Sequence, residues 1–255
     1  MTLEQTLEKM QLMKLHGMAT ALRATLETSF ARDFTPDELV AYLIDAEHED
    51  RYNRKITRLL KTAGFRYQAT LEQIDCTPQR NLKKDLILRL STGEWIKRCE
   101  NVLITGPTGV GKSFFACALG HQAARACFKV LYFNAVKLFS KLKMAKADGT
   151  YAKELSKIQK QNLIIIDDFG LHPIDEQSKL MLLELLEDRY SKSSTIITSQ
   201  FPVNSWHEII KNPTLADAIC DRLVHNAYKI DLKGDSLRKN KTTHSGGKLP
   251  PALKN

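Results

Sequence analysis

The apolar positions of the chain change their spacing near residue 100. Before that point Leu3, Leu7 and Met10 recur at intervals of four and three, which lines one face of a helix. Thr35-Pro36-Asp37-Glu38 reads as a capping box with proline at the first helical position, and Leu39, Tyr42, Leu43 and Ala46 continue an apolar stripe behind it. Gly64 is placed to close that helix, because glycine accepts the left-handed conformation in which many helices end. Asp75-Cys76-Thr77-Pro78 has the composition of a linker. The pattern predicts a small helical N-terminal domain over residues 1–75, then a linker and helix over 76–100.

Beyond residue 100, short apolar runs alternate with longer helix-like stretches. The runs are Asn101 to Thr105, Lys129 to Phe133, Leu163 to Ile166, Thr195 to Thr198 and Ala227 to Ile230, with Phe114 to Ala126 as the clearest intervening helix. Such alternation predicts an α/β domain over 101–238, a parallel sheet flanked by helices. The segment 239–255 holds Gly246, Gly247, Pro250 and Pro251 among few large apolar groups, and is expected to be a disordered basic tail. No apolar run approaches the ~20 residues of a membrane span. The opening Met1-Thr2-Leu3-Glu4-Gln5 lacks the features of an export signal, and Cys76, Cys99, Cys117, Cys127 and Cys220 are odd in number and scattered. A cytoplasmic protein with reduced thiols and no membrane contact is expected.

Charge adds a candidate partner. Lys and Arg total 38 against 29 Asp and Glu, and the excess is local. Residues 51–66 contain Arg51, Arg54, Lys55, Arg58, Lys61 and Arg66 without an acid, and the first five share one helical face. Lys137, Lys141, Lys143, Lys146, Lys153, Lys157 and Lys160 form a second cluster, opposed only by Asp148 and Glu154. Both clusters suit a polyanion such as duplex DNA, although a solvated helix surface has the same look.

The chemistry is concentrated after the first strand. Gly106-Pro107-Thr108-Gly109-Val110-Gly111-Lys112-Ser113, followed by Phe114, is a complete Walker A loop between a strand and a helix. Its glycines let backbone N–H groups turn inward around phosphates, Lys112 adds a point charge, and the Ser113 hydroxyl suits a Mg²⁺ shell. Leu163-Ile164-Ile165-Ile166-Asp167-Asp168 is an all-aliphatic strand ending in two carboxylates, a Walker B element. Asp167 is expected to hold Mg²⁺ and Asp168 to orient or deprotonate the attacking water. Thr198-Ser199-Gln200 ends another strand, where the Gln200 amide could hold the lytic water and γ-phosphate. Arg222, in Asp221-Arg222-Leu223, is a candidate arginine finger acting on a neighbouring subunit, with a surface ion pair to Asp217 or Asp221 as the plainer alternative.

Taken in order, these motifs, with Leu15-His16-Gly17-Met18, Glu94-Trp95-Ile96, Asp221-Arg222-Leu223-Val224-His225 and Gly234-Asp235-Ser236-Leu237-Arg238, make the chain resemble the IstB-type transposition helper ATPases. These are AAA+ relatives of the DnaC helicase loader. The resemblance implies an AAA+ P-loop NTPase fold and a homo-oligomer with active sites between subunits. It further implies ATP and Mg²⁺ as cofactors, duplex DNA that is bent or remodelled, and a partner transposase. It assigns Lys112, Ser113, Asp167 and Asp168 the Walker roles, Gln200 a sensor role, Arg222 the finger, and Arg238 a place beside the nucleotide. Gln200 stands where these proteins more often have Asn, and Asp168, in common with the family, where AAA+ ATPases at large have Glu; the shorter carboxylate implies slow hydrolysis, and an ATPase stimulated by DNA is expected. A replicative helicase loader is the alternative. A small-molecule kinase would need a lid of arginines that Arg125, Arg189, Arg222 and Arg238 do not form.

Overall fold

The computed structural model describes residues 2–28 and 34–237. Arg238 and the tail 239–255 lie outside the described residues. The chain divides into two compact units, Met1–Leu59 and Leu60–Asn255.

The first unit contains α1 (Leu3–Leu12), α2 (His16–Glu27) and most of α3 (Pro36–Ala63). Helix α1 starts at a Thr2–Gln5 capping box. Helix α3 starts as expected, with the Thr35 amide donating to Glu38 Oε2 at 2.8 Å and the Glu38 amide to Thr35 Oγ1 at 3.4 Å. The start of α2 is served from a distance. Its preceding residue, Leu15, has no capping side chain, and the buried Glu47 of α3 instead accepts the Gly17 amide at 2.8 Å and the Met18 amide at 3.2 Å. A Cβ at Gly17 would overlap the Ala46 carbonyl oxygen, so only glycine lets the two helices approach this closely. Leu15-His16-Gly17-Met18 is therefore a packing motif. Helix α3 ends at Ala63, with Gly64 at φ 68°.

The second unit begins earlier than the boundary drawn at residue 75. Phe65, Tyr67, Leu71 and Ile74 pack with buried Ala69 against Cys117 and Ala118 of α6 (Lys112–Arg125), so this apolar stretch finds its cover on the α/β unit. Helices α4 (Lys84–Ser91) and α5 (Glu94–Lys97) lead into the sheet. Trp95 and Ile96, from the Glu-Trp-Ile motif, are buried there.

The five strands are β1 (Asn101–Thr105), β2 (Val130–Asn134), β3 (Leu163–Phe169), β4 (Ser194–Ser199) and β5 (Ala227–Asp231), all parallel in the order β2-β3-β4-β1-β5. Four agree with the apolar runs to within a residue at each end. β3 runs on through both carboxylates to Phe169, because its pairing with β4 shifts between Ile166 and Phe169. One extra residue is accommodated there as a bulge, with Asp168 at φ 60°. Residues alternate across the sheet. Ile164 and Ile166 belong to a core shared with α7 (Ala135–Ala147), α8 (Tyr151–Gln159), α9 (Glu176–Arg189), α10 (Trp206–Ile210) and α11 (Pro213–Val224), whereas Ile165 meets α6 at Gly120. The carboxyl ends of β1, β3 and β4 all open on one edge, where ligands of such sheets sit. Among the described residues no helix is long and apolar enough to cross a membrane.

Candidate nucleotide site

The phosphate loop leaves β1 after Thr105 and re-enters helix at Lys112. Gly106, Gly109 and Gly111 have φ values of 139°, 87° and 94°, which turn the loop between them. Lys112 is buried, and its Nζ donates to the Gly106 and Pro107 carbonyls at 2.7 and 2.8 Å, holding the ammonium within the loop. A cleft beside it is lined by Thr108, Gly109, Gly111, Lys112, Ser113, Phe114, Asp168 and Gln200, with Tyr67 and Leu237 at its walls. The structure thus brings together the Walker A residues, the second carboxylate and Gln200. Gln200 Oε1 accepts the Thr108 hydroxyl at 2.8 Å, which ties the end of β4 to the loop. Val110 is fully buried, and its carbonyl is held by the Arg80 guanidinium.

Asp167 and Asp168 sit differently. Asp167 is completely buried; its Oδ1 accepts the Thr198 hydroxyl and its Oδ2 the Tyr132 hydroxyl at 2.5 Å. Burial, and then the bond to Asp167, push the Tyr132 phenol far above its ordinary value, so it remains a donor. Asp168 is half-buried. Its amide donates to Thr198 Oγ1 at 3.0 Å, and its Oδ2 accepts Asn134 Nδ2 at 3.2 Å. The bulge aims this second side chain into the cleft while the first stays under the sheet edge.

Tyr132, Asn134, Thr198 and Arg66 had not been singled out as site residues. Strand order brings the first three to the carboxylates, with Asn134 in register with Asp167. Arg66, the last cation of the 51–66 run and beyond the end of α3, turns to the site: its Nη1 lies 3.2 Å from Asp168 Oδ2 and 3.5 Å from Asp167 Oδ2.

Ser113 and Asp167 are the residues that would hold Mg²⁺. Among the described residues no three His, Cys, Asp or Glu side chains form a metal cage. A cation that keeps most of its water and takes only a hydroxyl and a carboxylate beside phosphates needs no cage, so the donor set fits. The Gly234-Asp235-Ser236-Leu237 stretch lies across the loop, with the Leu237 amide donating to the Gly109 carbonyl at 3.0 Å. A Cβ at Gly109 would overlap the Ser236 hydroxyl.

Arg222 lies at the other end of the sheet. Its carbonyl accepts Asn101 Nδ2 at 3.1 Å at the start of β1, roughly 13 Å of strand from the phosphate loop. Its guanidinium pairs with Glu187 at 2.8 Å, a partner on α9 and neither Asp217 nor Asp221. Several basic side chains are likewise engaged: Lys141 with Glu154 at 2.6 Å, Lys143 with Asp175, Arg51 with Glu47 at 2.6 Å, and Arg54 with Asp50 at 2.7 Å. Lys55, Arg58, Lys137, Lys146, Lys153 and Lys157 are exposed.

A parallel sheet in which β4 separates the phosphate-loop strand from the carboxylate strand, with a buried lysine and paired aspartates at one edge, defines an AAA+ P-loop NTPase. Solved structures share this fold: the DnaC helicase loader at a TM-score of 0.53 and 17% identity, covering 66% of this chain and 98% of that one. AMPPCP-bound DnaA from Aquifex aeolicus aligns at 0.57 and 16% identity, over 74% and 58%. The chain belongs to the IstB-like ATP binding protein family, whose profile matches residues 8–245. A putative insertion sequence ATP-binding protein of Sinorhizobium fredii is 47% identical over 94% of this chain and 98% of its own length. The insertion sequence IS21 putative ATP-binding protein of Pseudomonas aeruginosa is 30% identical over 92% and 88%.

Proposed function

We propose that this ATP-binding protein is a slow, DNA-stimulated ATPase that assembles as a homo-oligomer on duplex DNA in the cytoplasm, remodels it, recruits a partner transposase, and is released on hydrolysis. The observation that carries this reading is the convergence of the phosphate loop, Asp168 and Gln200 on one cleft, in a chain related throughout its length to insertion sequence ATP-binding proteins.

In this mechanism the main-chain amides of residues 106–113 and the Lys112 ammonium bind the triphosphate, freeing Lys112 from the loop carbonyls. Ser113 and Asp167 would hold Mg²⁺, which would supply positive charge to offset that of the phosphates. Asp168 orients the attacking water, with Asn134 and the bulged backbone fixing its carboxylate. Gln200, tied to Thr108, faces the terminal phosphate. Arg222 serves the site of a neighbouring copy. Asp168 has one methylene fewer than glutamate and a left-handed backbone, which limits its reach towards water and suits a timer better than a motor. Arg238 is proposed as a nucleotide contact from its place in the Gly234-Asp235-Ser236-Leu237-Arg238 motif.

The exposed lysines of α7 and α8 (Lys137, Lys146, Lys153, Lys157) are the proposed phosphate contacts, with Lys55 and Arg58 as further candidates. Arg51, Arg54, Lys141 and Lys143 would have to leave their carboxylate partners to contribute. The test is binding to long duplex and to single-stranded DNA with a non-hydrolysable ATP analogue. The expected result is analogue-dependent assembly on duplex, lost in Lys112→Ala, with a log–log salt slope of about −3.6 for four neutralised phosphates. Equal binding without nucleotide, or a slope near zero, overturns it; preference for single strands selects the helicase-loader reading.

A further inference from the structure

Arg66 is a charged partner of both Walker B carboxylates, and no motif accounts for it. The backbone on either side of it is anchored to the phosphate-loop helix. The Phe65 ring stacks on His121 at 4.3 Å, His121 Nε2 donates to the Tyr67 carbonyl at 3.2 Å, and Ala69 is completely buried. From this platform the Arg66 side chain extends to the two carboxylates, its guanidinium 5.4 Å from the Tyr67 ring centroid. Its Nη1 spans Asp168 Oδ2 at 3.2 Å and Asp167 Oδ2 at 3.5 Å.

The partners of Asp167 are unequal. Thr198 is buried, Tyr132 is half-buried, and both are uncharged groups on strands. The Arg66 side chain is 41% exposed and positive. A divalent cation arriving at Asp167 is compatible with neutral donors, but it repels a guanidinium on the same oxygen. Of the three partners, Arg66 alone has both a reason to leave and solvent to retreat into. While it stays, its charge compensates two adjacent carboxylates, one of them wholly buried, that would otherwise repel each other and the incoming phosphates.

We propose that Arg66 is a positioning residue that serves as a resident counter-ion of the Asp167–Asp168 pair and is displaced when Mg²⁺ arrives with the nucleotide. It holds Asp168 against Asn134 until that exchange, so Asp168 is released for water only in a metal-loaded site. This rests on the ATPase reading above and deepens it, because it makes Mg²⁺ compete with a side chain of the protein.

The consequence is a pair of effects of opposite sign. In Arg66→Ala, affinity for a non-hydrolysable ATP analogue in EDTA is expected to fall several-fold, because the carboxylates then face the phosphates uncompensated. The Mg²⁺ concentration that half-restores analogue binding is expected to fall several-fold as well, because nothing has to be displaced. Arg66→Lys, which keeps the charge, should return both values towards wild type. A purely structural arginine would weaken both forms of binding together and lower the melting temperature; that pattern, or an unchanged Mg²⁺ requirement, overturns the proposal. If the wild-type protein binds no analogue with or without Mg²⁺, the ATPase reading fails instead. The role of Arg66 is then read from Mn²⁺ binding to the nucleotide-free protein by electron paramagnetic resonance: tighter binding in Arg66→Ala sustains it, and equal binding sinks it.

Discussion

Thr198 shows how much of this site rests on a single hydroxyl. It donates to Asp167 Oδ1 and accepts the Asp168 amide at 3.0 Å, linking both carboxylates to β4. Valine has nearly the same shape but no hydroxyl, so Thr198→Val leaves a completely buried carboxylate oxygen and an amide unpaired. Its expected cost is about 1–3 kcal/mol in urea denaturation, with ATP turnover reduced by more than nucleotide affinity. Unchanged stability would mean that water or another side chain replaces the hydroxyl. The loop residues and both aspartates were legible beforehand because their chemistry is contiguous in sequence: a glycine-rich turn before a helix, and carboxylates closing an aliphatic run. Tyr132, Asn134 and Thr198 were not, since their relevance depends on which strands are neighbours, and β2, β3 and β4 are far apart in sequence. Arg66 falls off the basic helical face, beyond the glycine that closes it, but nothing in the pattern says which carboxylates it meets across the fold.

At the scale of elements, helix ends are readable where a local device sets them, as at Thr35-Pro36-Asp37-Glu38 for the start of α3 and Gly64 for its close. What was hidden came from contacts between elements. The β3 bulge is invisible to periodicity because a pair of acids after four aliphatics looks like a strand's end. The start of α2 has no cap of its own, because Glu47 supplies one from α3. Burial raises the Glu47 pKa, but the Arg51 guanidinium and the Met18 and Gly17 amides outweigh it and hold the carboxyl below its ordinary value. A carboxylate with a depressed folded pKa contributes stability in full above its unfolded value, near ~4.3, and loses it as pH falls through the folded one. Glu47→Ala is expected to cost about 1–3 kcal/mol at neutral pH and to flatten the acid limb of the stability curve, as followed by helical circular dichroism. A variant as acid-sensitive as wild type would assign that limb to other carboxylates.

For the whole molecule, the decisive geometry is the separation of Arg222 from its own phosphate loop by the length of β1. An arginine at the amino-terminal edge of a parallel sheet cannot serve a nucleotide held at the carboxyl edge of the same chain, so any catalytic duty it has must be performed in a second copy. Two variants separate the halves of such a shared site: Asp168→Asn removes the carboxylate proposed to orient water and keeps Arg222, while Arg222→Ala does the reverse. Each alone is expected to hydrolyse little ATP. In an equal mixture, an interface that pairs the intact site of one with the intact arginine of the other forms at random in about a quarter of positions, and about that fraction of wild-type turnover should reappear. Glu187→Gln supplies the control, because it breaks the 2.8 Å pair within the chain but leaves the guanidinium available. If Arg222 only braces α9 against α11, Glu187→Gln should be as damaging as Arg222→Ala and mixing should restore nothing. If it reaches a neighbouring nucleotide, Glu187→Gln should retain activity and the mixture should recover it, with the recovery vanishing on dilution below the concentration at which the oligomer holds together.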